Sequence, residues 1–127
     1  MIIGAQSDCE TYKKRKFHPE KLNQAMEYFD CTWESLDNTK YKEKEEEIAV
    51  SELHFGTGRA IRNDWGLWNN KSRLSQFFIQ LGIFHPNDIS SIMLTSWLRQ
   101  LNGKKIELKN QIEHYKVYWE KQNEKKE

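Results

Sequence analysis

The sequence predicts an all-α fold, a single compact domain of about five helices. Three observations point there. Apolar residues recur at three- and four-residue steps in separate stretches, Gly and Pro fall between those stretches, and nowhere does a period-two alternation run between turn signals. At 127 residues the chain has the length of one domain with one modest core.

The elements follow in order. Residues 1–18 read as a polar lead-in containing the basic run "KKRK" at 13–16, residues 19–120 as the helical domain, and 121–127 as a disordered polar tail. Pro19 sits where a first helical residue belongs, and Leu22, Met26, Phe29 and Trp33 follow at steps of four, three and four. A linker, "ESLDNT", leads to "KYKEKEEEIAVSELHF". Its front half is a solvated, charged helical face, and its back half is expected to turn Ile48, Ala49, Glu52 and Phe55 to one side. Ser72 caps a helix with Leu74, Phe77, Phe78 and Leu81 inward, closed by a left-handed Gly82 and an apolar Ile83. Pro86 breaks the chain, and Asn87 or Asp88 is expected to cap the next helix. That helix carries Ile89, Ile92, Met93, Trp97, Leu98 and Leu101 and stops at Asn102-Gly103. The last helix starts near Ile106, with Leu108, Ile112, Tyr115 and Trp119 expected inward.

The formal charge of +1 gives no whole-molecule attraction to nucleic acid or anionic membrane, and the short "KKRK" and terminal "EKKE" runs read as solvated tails. The charge is uneven, however. Residues 1–53 carry 8 Lys and Arg against 12 Asp and Glu, whereas residues 54–127 carry 12 against 7. No run approaches the roughly 20 apolar residues of a membrane span, and the start "MIIGAQSDCE" turns polar too soon for a secretory signal. The expectation is a soluble cytoplasmic protein, with Cys9 and Cys31 as free thiols and Cys31 as a small buried residue.

The stretch "SELHFGTGRAIRNDWGLWNN", residues 51–70, is the densest in chemistry. Gly56 ends a helix with Thr57 capping a new one, or the helix runs on with His54, Gly58, Ile61 and Trp65 on one face; the second reading is favoured. A glycine inside a helix costs about 0.5–1 kcal/mol relative to alanine, and close approach of a backbone or ligand is the usual compensation.

The segment from His54 to Leu94 resembles a family of small, mostly bacterial domains of unknown function. His54, Phe55, Gly56, Gly58, Ile61, Arg62, Asn63, Trp65, Leu67 and Trp68 carry its first box; His85, Pro86, Asp88, Ser90, Ile92 and Leu94 carry its second. The likeness covers roughly Met26 to Trp119, and Asn87 departs from it, standing where an acid is often found. It implies a helical domain in a bacterial cytoplasm and, by analogy with small proteins encoded near conflict systems, an immunity- or antitoxin-like binding role.

Among the residues themselves, Arg62 with Asn63 and Arg59 offers a fork and an amide for a carboxylate or phosphate. The simpler expectation is that Arg62 pairs internally with Asp88 or Asp64. His54 is a candidate proton carrier, with a hydrogen-bonded core role the plainer one. His85 with His54, Asp88 and His114 lacks metal-ligand spacing, so no metal is expected. Neither a nucleophile elbow nor a phosphate-binding loop is present, and no catalytic residue or cofactor is assigned. Trp33, Trp97 and Trp119 suit a core, and if Trp65 does too, Trp68 stands partly exposed at the end of its helix. Trp68, beside Arg59, Arg62 and Arg73, is either an interface anchor or a lid under the 69–72 loop. Two functions follow: a small protein-binding module that inhibits another protein by direct contact, or a small-anion or nucleotide site or enzyme built on His54, Arg62 and Asn63. An open pocket holding unpaired Arg62 and His54 favours the second, and a filled, internally bonded motif the first.

Overall fold

A computed structural model describes residues 9–10, 12, 17–32, 41 and 44–126. Among them lie α1 (Leu22–Thr32), α2 (Glu46–Leu53), α3 (Arg59–Asp64), α4 (Arg73–Gln80), α5 (Pro86–Leu101) and α6 (Leu108–Lys126), with no strand. A single π-helical turn, His54–Gly58, joins α2 to α3 without interruption, so the six segments form five rods. Trp33, the linker after it and "KKRK" lie outside the described residues. No described helix is long and apolar enough to cross a membrane.

The centre is α5. Its Ile89, Ile92, Met93, Leu94, Trp97 and Leu98 are buried together with Ser90 and Ser96, which leaves little of the helix to solvent, and every other rod packs on it. A helix apolar around most of its circumference must be surrounded in this way. From α1, Phe29 meets Trp97 edge-on at 6.1 Å and stacks on Trp65 at 5.9 Å, while the indole N–H of Trp97 donates to Asp30 at 2.9 Å. The body of Trp97 is thus buried and its polar end satisfied.

Helix ends follow the residues. Ser72 caps α4, accepting from the Ser75 N–H at 3.1 Å. Gly82 (φ 94°) and Gly103 (φ 69°) adopt left-handed conformations; Ile83 donates back to Phe78 and Lys104 to Arg99, the Schellman arrangement. At α5 the cap is neither Asn87 nor Asp88 but His85, whose Nδ1 accepts from the Asn87 N–H at 3.1 Å. The residue before a proline is held extended and Pro86 has no N–H of its own, so the capping position falls on the histidine. Likewise α1 begins after Pro19, where Gln24 reaches back to accept from the Glu20 N–H at 2.8 Å.

Four further expectations change. On α2 the inward face is Ala49 and Leu53, leaving Ile48 and Phe55 exposed, Phe55 at 71 %. Ile48 lies about 100° around the helix from Ala49, and Phe55 sits on the widened π turn. Trp119 keeps 39 % of its surface in water. The helix of Trp119 continues to Lys126 past the residue 121 at which a tail was expected, because Lys, Gln and Glu are good helix formers and neither Gly nor Pro interrupts them. Finally, Cys9 and Cys31 are not free thiols but a disulfide. Two lone cysteines give no sequence signal of pairing; the fold brings the lead-in back onto α1 and joins them.

The π turn is organised around Arg62. This side chain is only 4 % exposed and has no carboxylate partner among the described residues. Its Nη1 donates to Ser90 Oγ at 2.9 Å, its Nη2 to the His54 carbonyl at 3.1 Å, and its Nε has no partner. Burial, aided by the neighbouring charge of Arg59, lowers its pKa. Gly58 makes the passage possible: a Cβ there would stand 2.9 Å from Arg62 Nη1 and 3.2 Å from the Leu53 carbonyl. At Gly56 a Cβ would meet nothing within 4 Å.

The two glycines should therefore respond in opposite directions to alanine. Gly56→Ala is expected to stabilise by about 0.5–1 kcal/mol and Gly58→Ala to destabilise by about 1–3 kcal/mol, as read by urea denaturation. Arg62→Ala is expected to cost about 3 kcal/mol, because Ser90 and the His54 carbonyl lose a charged partner and a void is left; Arg62→Met, which fills the space, should cost less. Native protein should show no thiol reactive to maleimide until reduced, and Cys31→Ser should cost about 3 kcal/mol for a loop of 22 residues.

Candidate functional site

After α3 the chain turns sharply. Gly66 (φ 64°) permits a third Schellman turn, with Leu67 donating to the Arg62 carbonyl at 3.0 Å. The turn sends Leu67 into the core and Trp68 to the surface, 58 % exposed. Ahead of α5 the extended segment does the same, with Ile83 in and Phe84 out, 65 % exposed. From α6, Trp119 stacks on His85 at 5.8 Å and 16°, and Trp68 meets the same imidazole edge-on at 6.3 Å.

These rings and Pro86 wall a cleft of about 440 Å³, with the Asn70 and Asn123 amides at its rim. Both indole N–H groups are engaged internally: Trp68 donates to Asn63 Oδ1 at 3.1 Å and Trp119 to Asp88 Oδ2 at 2.8 Å. The rings are therefore held in place while their apolar faces stay open. Because His85 Nδ1 accepts from the chain, its neutral form carries the proton on Nε2. Behind Asp88, Tyr115 has its pKa raised by burial, opposed by a hydrogen bond with Ser91 and aided by the Asp88 charge, which keeps the phenol neutral.

Chemically the cleft offers stacking faces, two amides and one carboxylate behind a tryptophan. No Lys or Arg lines it, so an anion finds no counter-charge. Among the described residues no group of three His, Cys, Asp or Glu is placed to hold a metal.

Of the residues singled out by the sequence, Asn63, Trp68, His85 and Asp88 come together here. Trp68 is an exposed ring and not a lid over the core. Asp88, one expected partner of Arg62, holds Trp119 instead, and Asp64, the other, is exposed on α3. His54 lies in the π turn and Arg59 and Arg62 in α3 beside it, and none of the three lines the aromatic cleft. Burial, followed by the charges of Arg62 and Arg59, lowers the pKa of His54, so this residue is neutral at neutral pH. Arg73 is exposed and reaches Glu20 at 3.5 Å. The sequence reading missed Phe84 and misassigned Trp119. Phe84 follows a capping isoleucine in an extended stretch, a position whose period-two alternation sets it outward; Trp119 follows Tyr115 by four residues, which looks like core spacing until the helix is seen to pack on one side only.

No curated protein and no solved structure matches the chain. A family model, described as a domain of unknown function (DUF6794), matches residues 18–101. The match runs from the approach to α1 to the end of α5 and includes Trp68, Phe84, His85 and Asp88, whereas α6, with Trp119, lies beyond it. With well over half its length matched, the chain belongs to the DUF6794 family.

Proposed function

We propose that this domain is a small protein-binding module, immunity- or antitoxin-like, which inhibits a partner by direct contact, and that the partner docks on the aromatic cleft. The observation that carries this reading is the trio of open ring faces, Trp68, Phe84 and Trp119, with both indole N–H groups already satisfied. The ring faces left in water bring no stability to the monomer. They do provide a preorganised surface, because little side-chain freedom remains to be lost on binding. Tryptophan is also the residue most often found to dominate binding energy at interfaces.

The bacterial setting and the inhibitory role come from the resemblance of the His54–Trp68 box. The Cys9–Cys31 bond favours an oxidising compartment over the expected cytoplasm, since such bonds are reduced by cytoplasmic thiols. The anion, nucleotide or enzyme reading is the less supported, because Arg62 is buried, with Nη1 donating to Ser90 and Nη2 to the His54 carbonyl.

The test is affinity capture from the native cell with wild type and Trp68→Ala/Phe84→Ala protein, identifying what is retained by mass spectrometry. A stoichiometric protein should be held by wild type and lost from the variant, with affinity weaker by at least about 30-fold. The variant should melt near the wild-type temperature, because both rings are mostly exposed. A retained nucleotide or metabolite, held equally by the variant, overturns the reading.

A further inference from the structure

The aromatic cleft does not end at Trp119. The stacked pair of His85 and Trp119 also lines a neighbouring hollow of about 370 Å³, whose other rings are Tyr115 and the half-exposed Tyr118 of α6. The pair is therefore a ridge with an aromatic-lined hollow on each side, Trp68 and Phe84 in one direction and the two tyrosines in the other. Trp68 meets the His85 ring at 74° and Trp119 lies at 16° to it, so the two indoles are steeply inclined and wall the first hollow as a notch.

Polar groups narrow the occupant. No charged side chain lines the cleft, and the second hollow has one carboxylate, Asp88, which already accepts from the Trp119 indole; neither has Lys or Arg. A charged side chain seated in the cleft loses its hydration with nothing to replace it. What the cleft does hold is hydrogen-bond donors: the Asn70 and Asn123 amides, neither side chain bonded among the described residues, and the Nε2–H of neutral His85. An ordinary residue brings a backbone N–H with each carbonyl, and both need partners when covered. Proline brings the carbonyl alone.

The ways in which peptides are recognised narrow it further. Strand addition needs a sheet edge, and the described residues contain no strand. Phosphopeptide capture needs an arginine cluster, which both hollows lack. An amphipathic helix needs an unbroken groove, and here the His85–Trp119 ridge interrupts it. A polyproline II chain, with three residues per turn and a rise of about 3.1 Å, sets every third residue on one edge about 9 Å apart. Such a chain can step over a ridge and fill the hollow on either side.

We propose that the cleft and its neighbour take a proline-rich segment of the partner protein in the polyproline II conformation. One proline sits among Trp68, Phe84 and Trp119, and a second, three residues along, lies against Tyr115 and Tyr118. This rests on the reading of the domain as a protein-binding module. The pyrrolidine rings pack on the open aromatic faces while Asn70, Asn123 and His85 donate to the exposed carbonyls. The segment arrives already extended, so little chain entropy is lost on docking.

The experiment is selection of random peptides displayed on phage against the full oxidised chain, followed by titration of the leading synthetic peptides by fluorescence anisotropy. The expected result is enrichment of sequences with two prolines three residues apart. Alanine in place of either proline should weaken binding about tenfold or more, as should Trp68→Ala and Tyr118→Ala in the protein. Added salt should leave the affinity nearly unchanged, because no ion pair is formed. Melting curves of the two variants serve as the folding control, since both rings are at least half-exposed. Leading peptides that lack proline yet need Trp68 overturn this proposal and leave the module reading standing, whereas indifference to Trp68 counts against both. Failure to enrich any peptide, or proline-rich peptides that ignore Tyr118, also overturns it.

Discussion

A guanidinium buried without a carboxylate is an expensive group to carry, and the geometry of this domain is arranged around that cost. Arg62 is compensated by a hydroxyl from α5 and a carbonyl from the π turn rather than by an opposite charge. Both partners have to be delivered to it. A π turn adds one residue per turn to a helix, and here it brings the His54 carbonyl within reach of Nη2. Gly58 removes the one side-chain atom that would block Nη1. Ser90 then hands on its own proton to the Asn87 carbonyl at 3.0 Å, so the guanidinium is linked to the first turn of α5.

The candidate site follows from this lock. Asn63, next along α3 from Arg62, holds the Trp68 indole, and Asp88, two residues before Ser90, holds that of Trp119. The residues that fix the two rods against each other and those that aim the rings are thus sequence neighbours. Scaffold and proposed docking surface are two faces of the same motif, which explains how one short stretch gathers glycine, arginine, asparagine and tryptophan. The scaffold residues point inward, where most of their polar atoms are paired, and the rings point outward, where they form the surface proposed for docking.

The α6 helix has a different standing. It lies beyond the matched family region, is largely polar, and contacts the domain along one side: Leu108, Ile112 and Tyr115 pack against the core, Gln111 donates to Ser96 and to the Ile106 carbonyl, and Trp119 lies over His85. It nevertheless supplies one wall of the cleft, through Trp119 and Asn123. The domain core thus provides the rings of Trp68 and Phe84, and the appended helix closes the cleft on one side with Trp119.

Local rules sufficed for much of this protein. The helical class, the glycine stops at Gly82 and Gly103, the Ser72 cap and the buried faces of α4 and α5 were legible, because the spacing of apolar residues and the conformational freedom of glycine act over a few residues. The cluster of Asn63, Trp68, His85 and Asp88 was legible as a list of polar and aromatic residues, though not as one place. What tertiary structure decided was pairing over distance: Cys9 with Cys31, Arg62 with Ser90 rather than with an acid, Asp88 with Trp119, and the exposure of Phe55, Phe84 and Trp119. Helical periodicity says which residues share a side of a rod. Whether that side meets another rod or water depends on how the rods are stacked, and that is set by contacts between residues far apart in the chain.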